Sequence, residues 1–245
     1  LPYQITRGCT GRCSFCSYIN INNKLEFKSY SKVINELTQL KKKYNCRIIY
    51  FCDDAINNSY EYLEGLCEAF INNKLDIRWG VYAKVVNLDK PILKKMLDAG
   101  CGVLIFGIES GSDKILKYMN KSHISMQASE TLKNSSVAGL KNIISLVAGC
   151  PHEEQNDIAS TVDFIKKNKH YINWVVINRF HLSHASHMYL EPGYYNINNL
   201  APIPFSKFSF SFDESEGLPW GQKQIQQANS ERQIIKAILA NLNLA

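Results

Sequence analysis

Three cysteines lie close together near the start of the chain. Cys9, Cys13 and Cys16 are spaced C-x3-C-x2-C within the segment RGCTGRCSFC. Three thiolates on one short loop can converge on one metal centre. A [4Fe–4S] cube normally takes four cysteines, so three ligands leave one iron with an open coordination position. Because an open position separates a reacting metal centre from a structural one, this spacing favours catalytic iron–sulfur chemistry.

Two other kinds of site fit the same cysteine spacing. A zinc site would need a fourth Cys or His ligand, and histidines occur later in the chain. A redox pair made by Cys13 and Cys16 would leave Cys9 without a role. The other five cysteines lie in apolar or strand-like runs, as reduced cysteines often do, which predicts a reducing compartment, the cytoplasm.

The elements that must position these cysteines alternate between apolar runs and amphipathic helices. The runs are continuously apolar, which is typical of strands covered on both faces of a parallel sheet. The predicted strands are Tyr3–Gly8, Arg47–Cys52, Ile77–Ala83, Gly102–Ile108, Asn142–Ala148 and Trp174–Phe180. Ser59 and Asp89 are the expected N-caps of the second and third helices. Six such units predict an α/β fold, either a partial TIM-like barrel or a flat doubly wound sheet, and periodicity alone does not choose between them.

The alternation of strands and helices ends near His181. The following stretch is rich in Pro, Ser, Asn and aromatic residues, which predicts an irregular extension over the barrel. A last amphipathic helix is predicted at about Gln222–Asn243. We therefore expect a core over residues 1–181 and a C-terminal extension over residues 182–245.

Four segments of the chain resemble the radical S-adenosylmethionine (radical SAM) superfamily, in that family's order and each at a strand end. They are the cysteine segment with Phe15 before its last cysteine, FCDDAIN, GIESGSDKILKYMNK and LVAGCPHEEQNDIASTVDFI. The resemblance covers about residues 3–180 and implies a partial (β/α)6 barrel. It implies a [4Fe–4S] cluster on Cys9, Cys13 and Cys16, with SAM on the open iron. It further implies reductive cleavage of SAM to a 5′-deoxyadenosyl radical that abstracts hydrogen from a substrate.

The same resemblance implies SAM-binding roles for residues at the strand ends. Phe15 matches the family's aromatic residue beside the adenine. Asp53 and Asp54 stand where many members have Gly-Gly-Glu, and one carboxylate would accept a hydrogen bond from the SAM ammonium. The remaining implied SAM-binding residues are Lys84, Glu109, Ser110, Gly149 and Arg179. Helix capping, turn formation, core packing or a solvated surface position would also account for individual members of this set.

The segments are most similar to members with a preceding cobalamin-binding domain, many of them methyltransferases. This likeness implies a domain before Leu1 and cobalamin-dependent methylation. A tRNA-modifying methylthiotransferase and a zinc-stabilised, non-enzymatic α/β domain are the alternatives. The resemblance implies a small-molecule or peptide substrate, whose identity is not readable, and a one-electron reductant such as flavodoxin or ferredoxin.

Charge and hydropathy exclude two classes of partner. The net charge of +6 is carried by scattered lysines, which falls short of the basic footprint of a dedicated nucleic-acid binder. No apolar stretch reaches the length of a membrane span. We therefore expect neither nucleic acid nor a membrane as a partner.

Overall fold

A computed structural model describes residues 1–18 and 24–241 of the chain. The strands are β1 (Pro2–Tyr3), β2 (Thr6–Arg7), β3 (Glu26–Phe27), β4 (Ile48–Phe51), β5 (Arg78–Ala83), β6 (Cys101–Glu109), β7 (Lys141–Ala148), β8 (Trp174–Arg179), β9 (Leu182–Ser183), β10 (Ile197–Pro202) and β11 (Ser209–Glu214). The α-helices are α1 (Tyr30–Tyr44), α2 (Tyr60–Asn72), α3 (Lys90–Asp98), α4 (Asp113–Tyr118), α5 (Ser125–Val137), α6 (Gln155–Asn168), α7 (His187–Leu190) and α8 (Trp220–Asn241). Two 3-10 helices lie at Ile56–Asn58 and Pro192–Tyr195.

The main sheet has six parallel strands in the order β1-β4-β5-β6-β7-β8. Each strand follows the previous one in space as well as in sequence, apart from the short β2–β3 hairpin. This one-directional order is that of a barrel wall, whereas a doubly wound sheet reverses its order at a switch point. The predicted α/β fold, a partial TIM-like barrel, is therefore confirmed.

The first predicted strand, Tyr3–Gly8, is divided into two short strands. Only β1 joins the main sheet, while β2 pairs with β3 in a separate antiparallel hairpin. The division arises at Ile5 and Thr6, whose backbone N–H groups donate to the buried carboxylate of Asp53. Because those donors are taken, the chain leaves the sheet at this point, just before the cysteine loop.

Helix starts follow the predicted capping residues. The side chains of Ser59 and Asp89 accept hydrogen bonds from backbone N–H groups in the first turns of α2 and α3, which confirms both predicted caps. Leu63, Leu66 and Phe70 of α2 are buried against the sheet. Ile71, near the end of the same helix, is 41% exposed. It follows Leu63 by eight residues, which rotates it about 80° away from that side chain on a helix of 3.6 residues per turn.

The core lies between the main sheet and its helices. Its largest side chains are Phe51, Trp79 and Phe106, from three neighbouring strands. The Trp79 indole N–H donates to the backbone oxygen of Ala99 at 2.9 Å, which satisfies the one polar group of the ring. Burial of these rings in one core cluster stabilises the neighbouring strands β4, β5 and β6.

The C-terminal extension is more regular than the irregular cover that its composition predicted. It contains a three-stranded antiparallel sheet in the order β10-β11-β9. A second apolar cluster, which includes Phe180, Leu182, Met188 and Phe212, lies under this sheet. The strands escaped prediction because few of their side chains are buried, so alternation is weak. The predicted end of the last helix, Asn243, lies outside the described residues.

Buried polar contacts fix the extension to the turn after β7. Lys223 of α8 is buried and forms an ion pair with Glu214 at 2.7 Å. Its ammonium group also donates to the backbone oxygen of Cys150 at 2.6 Å. The Gln227 amide donates to the backbone oxygens of Gly149 and Phe180. The extension is thereby held against the barrel end.

Across the described part of the chain, no helix combines the length and apolarity that crossing a membrane requires.

Candidate functional site

A cavity of about 240 Å³ opens at the carboxyl ends of the main-sheet strands, and we call it the cysteine cavity. All three cysteines of the N-terminal loop, Cys9, Cys13 and Cys16, line it. Residues that follow β4 and β5, and the end of β6, complete its wall. Carboxyl strand ends are where parallel α/β folds bind ligands, so the loop and the strand ends meet where chemistry is expected.

Glycines and backbone hydrogen bonds shape the cysteine loop. A side chain at Gly11 would lie 3.3 Å from the Cys9 sulfur and 3.9 Å from the Cys13 sulfur, so both sulfurs lie on the same side of this glycine. The Gly11 N–H donates to the Cys9 sulfur at 3.3 Å. The Ser14 N–H donates to the backbone oxygen of Met119, which ties the loop to the end of α4. The loop is thus held with its thiols toward the cavity.

This donor set fits a cluster bound by three cysteines. In a zinc site the sulfurs share one ion at about 2.3 Å and are therefore close together, whereas in a cube each thiolate binds a different iron and the sulfurs are spread wider. Within residues 1–18 and 24–241, no three His, Cys, Asp or Glu side chains are grouped tightly enough to hold one metal ion. The cavity is lined by Cys9, Cys13 and Cys16 and, among the described residues, by no fourth cysteine, a donor set that fits a cube with one open iron.

Four of the residues predicted to bind SAM line the cysteine cavity: Phe15, Asp54, Lys84 and Glu109. Burial raises the pKa of the Asp54 carboxyl, and a hydrogen bond from Tyr18 acts in the opposite direction. The Lys84 ammonium group donates to the Thr10 hydroxyl at 2.5 Å, which connects the end of β5 to the cysteine loop. The cavity therefore presents an aromatic ring, two carboxylates and a cation close to the thiols.

Asp53 and Ser110 point away from this cavity and are engaged elsewhere. The Asp53 carboxylate is 1% exposed and accepts the N–H groups of Ile5 and Thr6. The Ser110 hydroxyl is hydrogen-bonded to the hydroxyl of Thr161 at 3.1 Å. Neither residue is among those that line the cysteine cavity: Asp53 positions the start of the cysteine loop, and Ser110 joins β6 to α6.

Gly149 and Arg179 are also placed outside the lining of the cysteine cavity. Gly149 has a positive φ of 76° and packs against the side chain of Gln227, so it serves the contact with α8. The Arg179 guanidinium forms an ion pair with Glu231 at 2.7 Å. The sequence indicated that both lie at strand ends, but it could not show that the extension would engage them.

A buried ion pair that the sequence did not predict crosses the cavity wall. The Glu109 carboxylate accepts from the Lys121 ammonium group at 3.1 Å, and the two side chains are only 10% and 12% exposed. Burial by itself lowers the pKa of Lys121, but Glu109 and the sulfurs of Cys13 and Cys9 outweigh it and raise the pKa. The lysine is therefore positively charged and lies near the thiols. Its only signal in the sequence was its place at the end of the GIESGSDKILKYMNK segment.

The backbone of β6 is distorted to aim Glu109 into the cavity. The pairing of β6 with β7 shifts register between Gly107 and Glu109, and Glu109 adopts a left-handed φ of 65°. Such bulges re-aim side chains beside functional sites. A side chain at Gly107 would lie 2.6 Å from the Glu109 carboxylate and 3.4 Å from the Lys121 nitrogen. Because Gly107 has no side chain, there is room for the ion pair. The residue with the strained backbone is Glu109 itself.

His123 is a second lining residue that sequence reasoning missed. It is 5% exposed, and its Nε2 atom has no hydrogen-bond partner among the described residues. The ring donates to the backbone oxygen of Ile108, so in the neutral imidazole the free nitrogen is an acceptor. Burial, aided by the charge of Lys121, lowers the pKa of His123 to about 4. The wall of the cavity thus includes a buried acceptor without a partner among the described residues, and no local pattern in the sequence marks it.

We expect His123 to make the stability of the protein depend on pH. Its pKa falls from 6.5 to about 4 on folding, so the unfolded chain binds the extra proton between these values. The stability it contributes is present above pH 6.5 and is lost as the pH falls toward 4, by about 2–3 kcal/mol. Urea unfolding at pH 7 and at pH 4.5 gives the loss of unfolding free energy between the two pH values. That loss should be smaller for His123→Gln than for the wild type. His170→Gln, at an exposed position, is the control, and equal losses in all three proteins would contradict the assignment.

Comparisons with known proteins agree with this geometry. The model of the Radical SAM superfamily matches residues 3–165. An uncharacterized methyltransferase of Pyrococcus horikoshii is 29% identical over 66% of this chain and 36% of its own length. A putative methylthiotransferase of Methanocaldococcus jannaschii is 30% identical over 65% of this chain and 37% of its own length. The chain therefore spans about a third of the length of these relatives.

A solved structure resembles nearly the whole chain. It is the radical SAM methyltransferase TsrM from Kitasatospora setae with cobalamin and a [4Fe–4S] cluster bound. The superposition has a TM-score of 0.78 and covers 97% of this chain and 51% of that one. At 14% sequence identity this likeness concerns the fold. It extends past residue 165, so it includes the C-terminal extension as well as the barrel.

Proposed function

This chain belongs to the radical SAM superfamily, whose members use a [4Fe–4S] cluster and SAM, and from that membership we propose that it cleaves SAM reductively at the cysteine cavity. Cys9, Cys13 and Cys16 would hold the cluster. The observation that carries the proposal is that all three thiols line one cavity with acidic, basic and aromatic side chains from the strand ends. When bound, the cluster and SAM supply one-electron cleavage of the sulfonium and a carbon radical that abstracts hydrogen.

The side chains of the cysteine cavity divide the recognition of SAM among them. The carboxylates of Asp54 and Glu109 are placed to accept from its ammonium group or ribose hydroxyls, as charge-assisted hydrogen bonds. Lys84 complements its carboxylate, and the ring of Phe15 offers a face for the adenine. His123 completes the same wall, with its Nε2 buried and without a partner among the described residues.

The barrel core and the C-terminal extension divide the work in this proposal. Residues 1–181 form the part that binds SAM, and residues 182–245 close the barrel end through contacts of α8 with the turn after β7. Excluding water from the reacting groups prevents side reactions of a reactive intermediate. This division assigns binding and cleavage to the barrel and enclosure to the extension.

Methyl transfer is the overall reaction we propose. The support comes from a relative named as a methyltransferase and from the fold of a methyltransferase whose structure contains cobalamin. Cobalamin would be held by a segment outside these 245 residues, since the chain matches only part of each relative. Members of the family also need an electron donor. We propose a small protein such as a flavodoxin or ferredoxin for that role, and a small molecule or peptide as substrate.

Methylthio transfer is the second candidate, because a relative at 30% identity is named a putative methylthiotransferase. The two reactions differ in the product. Methyl transfer adds one carbon with its hydrogens to the substrate, whereas methylthio transfer adds a sulfur atom as well. Mass spectrometry of the modified substrate separates them once a substrate is found.

Anaerobic reconstitution tests the proposed cleavage directly. The protein, expressed at full length, is incubated with iron and sulfide and should bind about four irons and four sulfides per chain. Addition of a reductant and SAM should then release 5′-deoxyadenosine. Stoichiometric zinc with no bound iron, or a fully loaded cluster that leaves SAM intact under reduction, would contradict the proposal.

A further inference from the structure

A second cavity lies beside the cysteine loop, and we call it the basic cavity. Its volume is about 490 Å³. Cys13 and Cys16 line both this cavity and the cysteine cavity. A cluster held by these thiols would therefore have SAM on one side and the basic cavity on another. Because SAM would fill the cysteine cavity, the basic cavity is a route by which an electron can reach the cluster while SAM is bound.

The walls of the basic cavity are cationic and aromatic. Arg12 and Lys117 are exposed at it, and no Asp or Glu belongs to its lining. Neither cation forms a salt bridge with any residue of the described ranges 1–18 and 24–241. Tyr194 is 80% exposed beside them. An unpaired pair of cations with an exposed ring is complementary to an acidic surface that carries a planar redox group.

The same walls are fixed by hydrogen bonds between three parts of the chain. The Asn120 amide donates to the backbone oxygen of Arg12 at 2.6 Å, which joins the end of α4 to the cysteine loop. The Tyr118 hydroxyl donates to the backbone oxygen of Tyr195 at 2.8 Å, and the hydroxyl of Tyr195 is hydrogen-bonded to His187 at 2.9 Å. The barrel and the extension therefore build the basic cavity together, and its shape is set before any partner arrives.

We propose that the basic cavity is the docking site for a small acidic protein that donates single electrons to the cluster. The inference rests on the proposed function, because it presumes a cluster on Cys9, Cys13 and Cys16. In each encounter the donor is oxidised by one electron and the cluster is reduced by one, and no covalent bond forms or breaks. The cations steer and orient the donor, and Cys13 and Cys16 of the shared wall connect the basic cavity to the cluster.

The test places negative charge at the mouth of the basic cavity without touching the cysteine loop. Lys117→Glu with Tyr194→Glu changes the charge by −3 at two exposed positions. The matched control, Lys42→Glu with Tyr44→Glu, makes the same change at exposed positions of α1. Both variants are reconstituted, and their iron content is measured first. Failure of iron loading in the wild type would refute the proposed function rather than the docking site.

Two measurements then examine docking separately from turnover. At low ionic strength, reduced flavodoxin should bleach the visible absorption of the oxidised cluster roughly tenfold more slowly in the cavity variant than in the control. Photoreduced deazaflavin, a small neutral reductant, should reduce both variants at equal rates. Titration calorimetry should show weaker binding of oxidised flavodoxin to the cavity variant alone. Equal reduction rates and equal affinities for the two variants would overturn the proposal. So would a cavity variant that deazaflavin also reduces about tenfold more slowly than it reduces the control, because the defect would then lie in the cluster and not in docking.

Discussion

Replacement of Cys13 by alanine is expected to abolish cluster assembly and SAM cleavage while leaving the fold intact. Cys13 lies on the wall shared by the cysteine cavity and the basic cavity, so removal of its sulfur would take away one of the three proposed cluster ligands. Two cysteines cannot hold three corners of a cube. Iron content should fall from about four per chain to below about one, and release of 5′-deoxyadenosine should fall at least about 100-fold, beyond the loss typical of outer-shell changes.

The control for this experiment is Cys52→Ala, which removes an exposed thiol at the end of β4. That variant should keep its iron and its SAM cleavage. Unfolding of the metal-free proteins by urea should show that Cys13→Ala costs no more than about 1 kcal/mol, because its side chain is only partly buried and lies on a loop. A Cys13→Ala protein that still holds about four irons would contradict the assigned ligand set.

Replacement of Lys121 by methionine should cost about 3–5 kcal/mol of unfolding free energy in the metal-free protein. The substitution leaves the Glu109 carboxylate buried without its ion-pair partner, and such an unpaired buried charge is strongly destabilising. Adding Glu109→Gln to the variant removes the orphaned charge, so the double variant should recover more than half of the loss. Urea unfolding of the wild type, both single variants and the double variant gives the coupling between the two residues.

Lys94→Met provides the comparison for the buried pair. Lys94 forms an ion pair with Asp98 that is largely exposed, so its loss should cost less than about 1 kcal/mol. If Lys121→Met lowers the unfolding free energy no more than Lys94→Met does, the substitution does not leave an unpaired buried charge at Glu109, and the prediction is wrong. In the iron-loaded enzyme, calorimetry should also find weaker SAM binding by Lys121→Met, because the carboxylate loses the partner that holds its position.

The cysteine pattern shows what can be read from local sequence. Three thiols within eight residues must lie near one another in any fold, so the sequence predicted that they would meet at one site without knowledge of the strands. The strand ends could be predicted almost as well, since buried parallel strands appear as continuous apolar runs. Phe15, Asp54, Lys84 and Glu109, which the family resemblance implied as SAM-binding residues, line one cavity with the thiols.

The predicted residues that do not line the cysteine cavity show where the same reasoning stops. Asp53 and Asp54 are neighbours at a strand end, and alternation along an extended chain sends their side chains to opposite sides. The sequence could not tell which side would be the cavity, and the structure buries Asp53 against backbone N–H groups. Arg179 was indicated by its position at a strand end, but Glu231 of a distant helix engages it. Contacts across many residues decided both outcomes.

The sequence by itself determined the chemistry that the protein can hold, because the thiols and the strand ends are set by short-range spacing and by burial of apolar runs. Tertiary structure alone decided how that chemistry is surrounded. The bulge that aims Glu109 toward Lys121, the unpaired nitrogen of His123 and the basic cavity all arise where segments far apart in the chain pack together. Long-range packing leaves no periodic or local mark in a single sequence, since each partner satisfies the other only after both have been brought into contact.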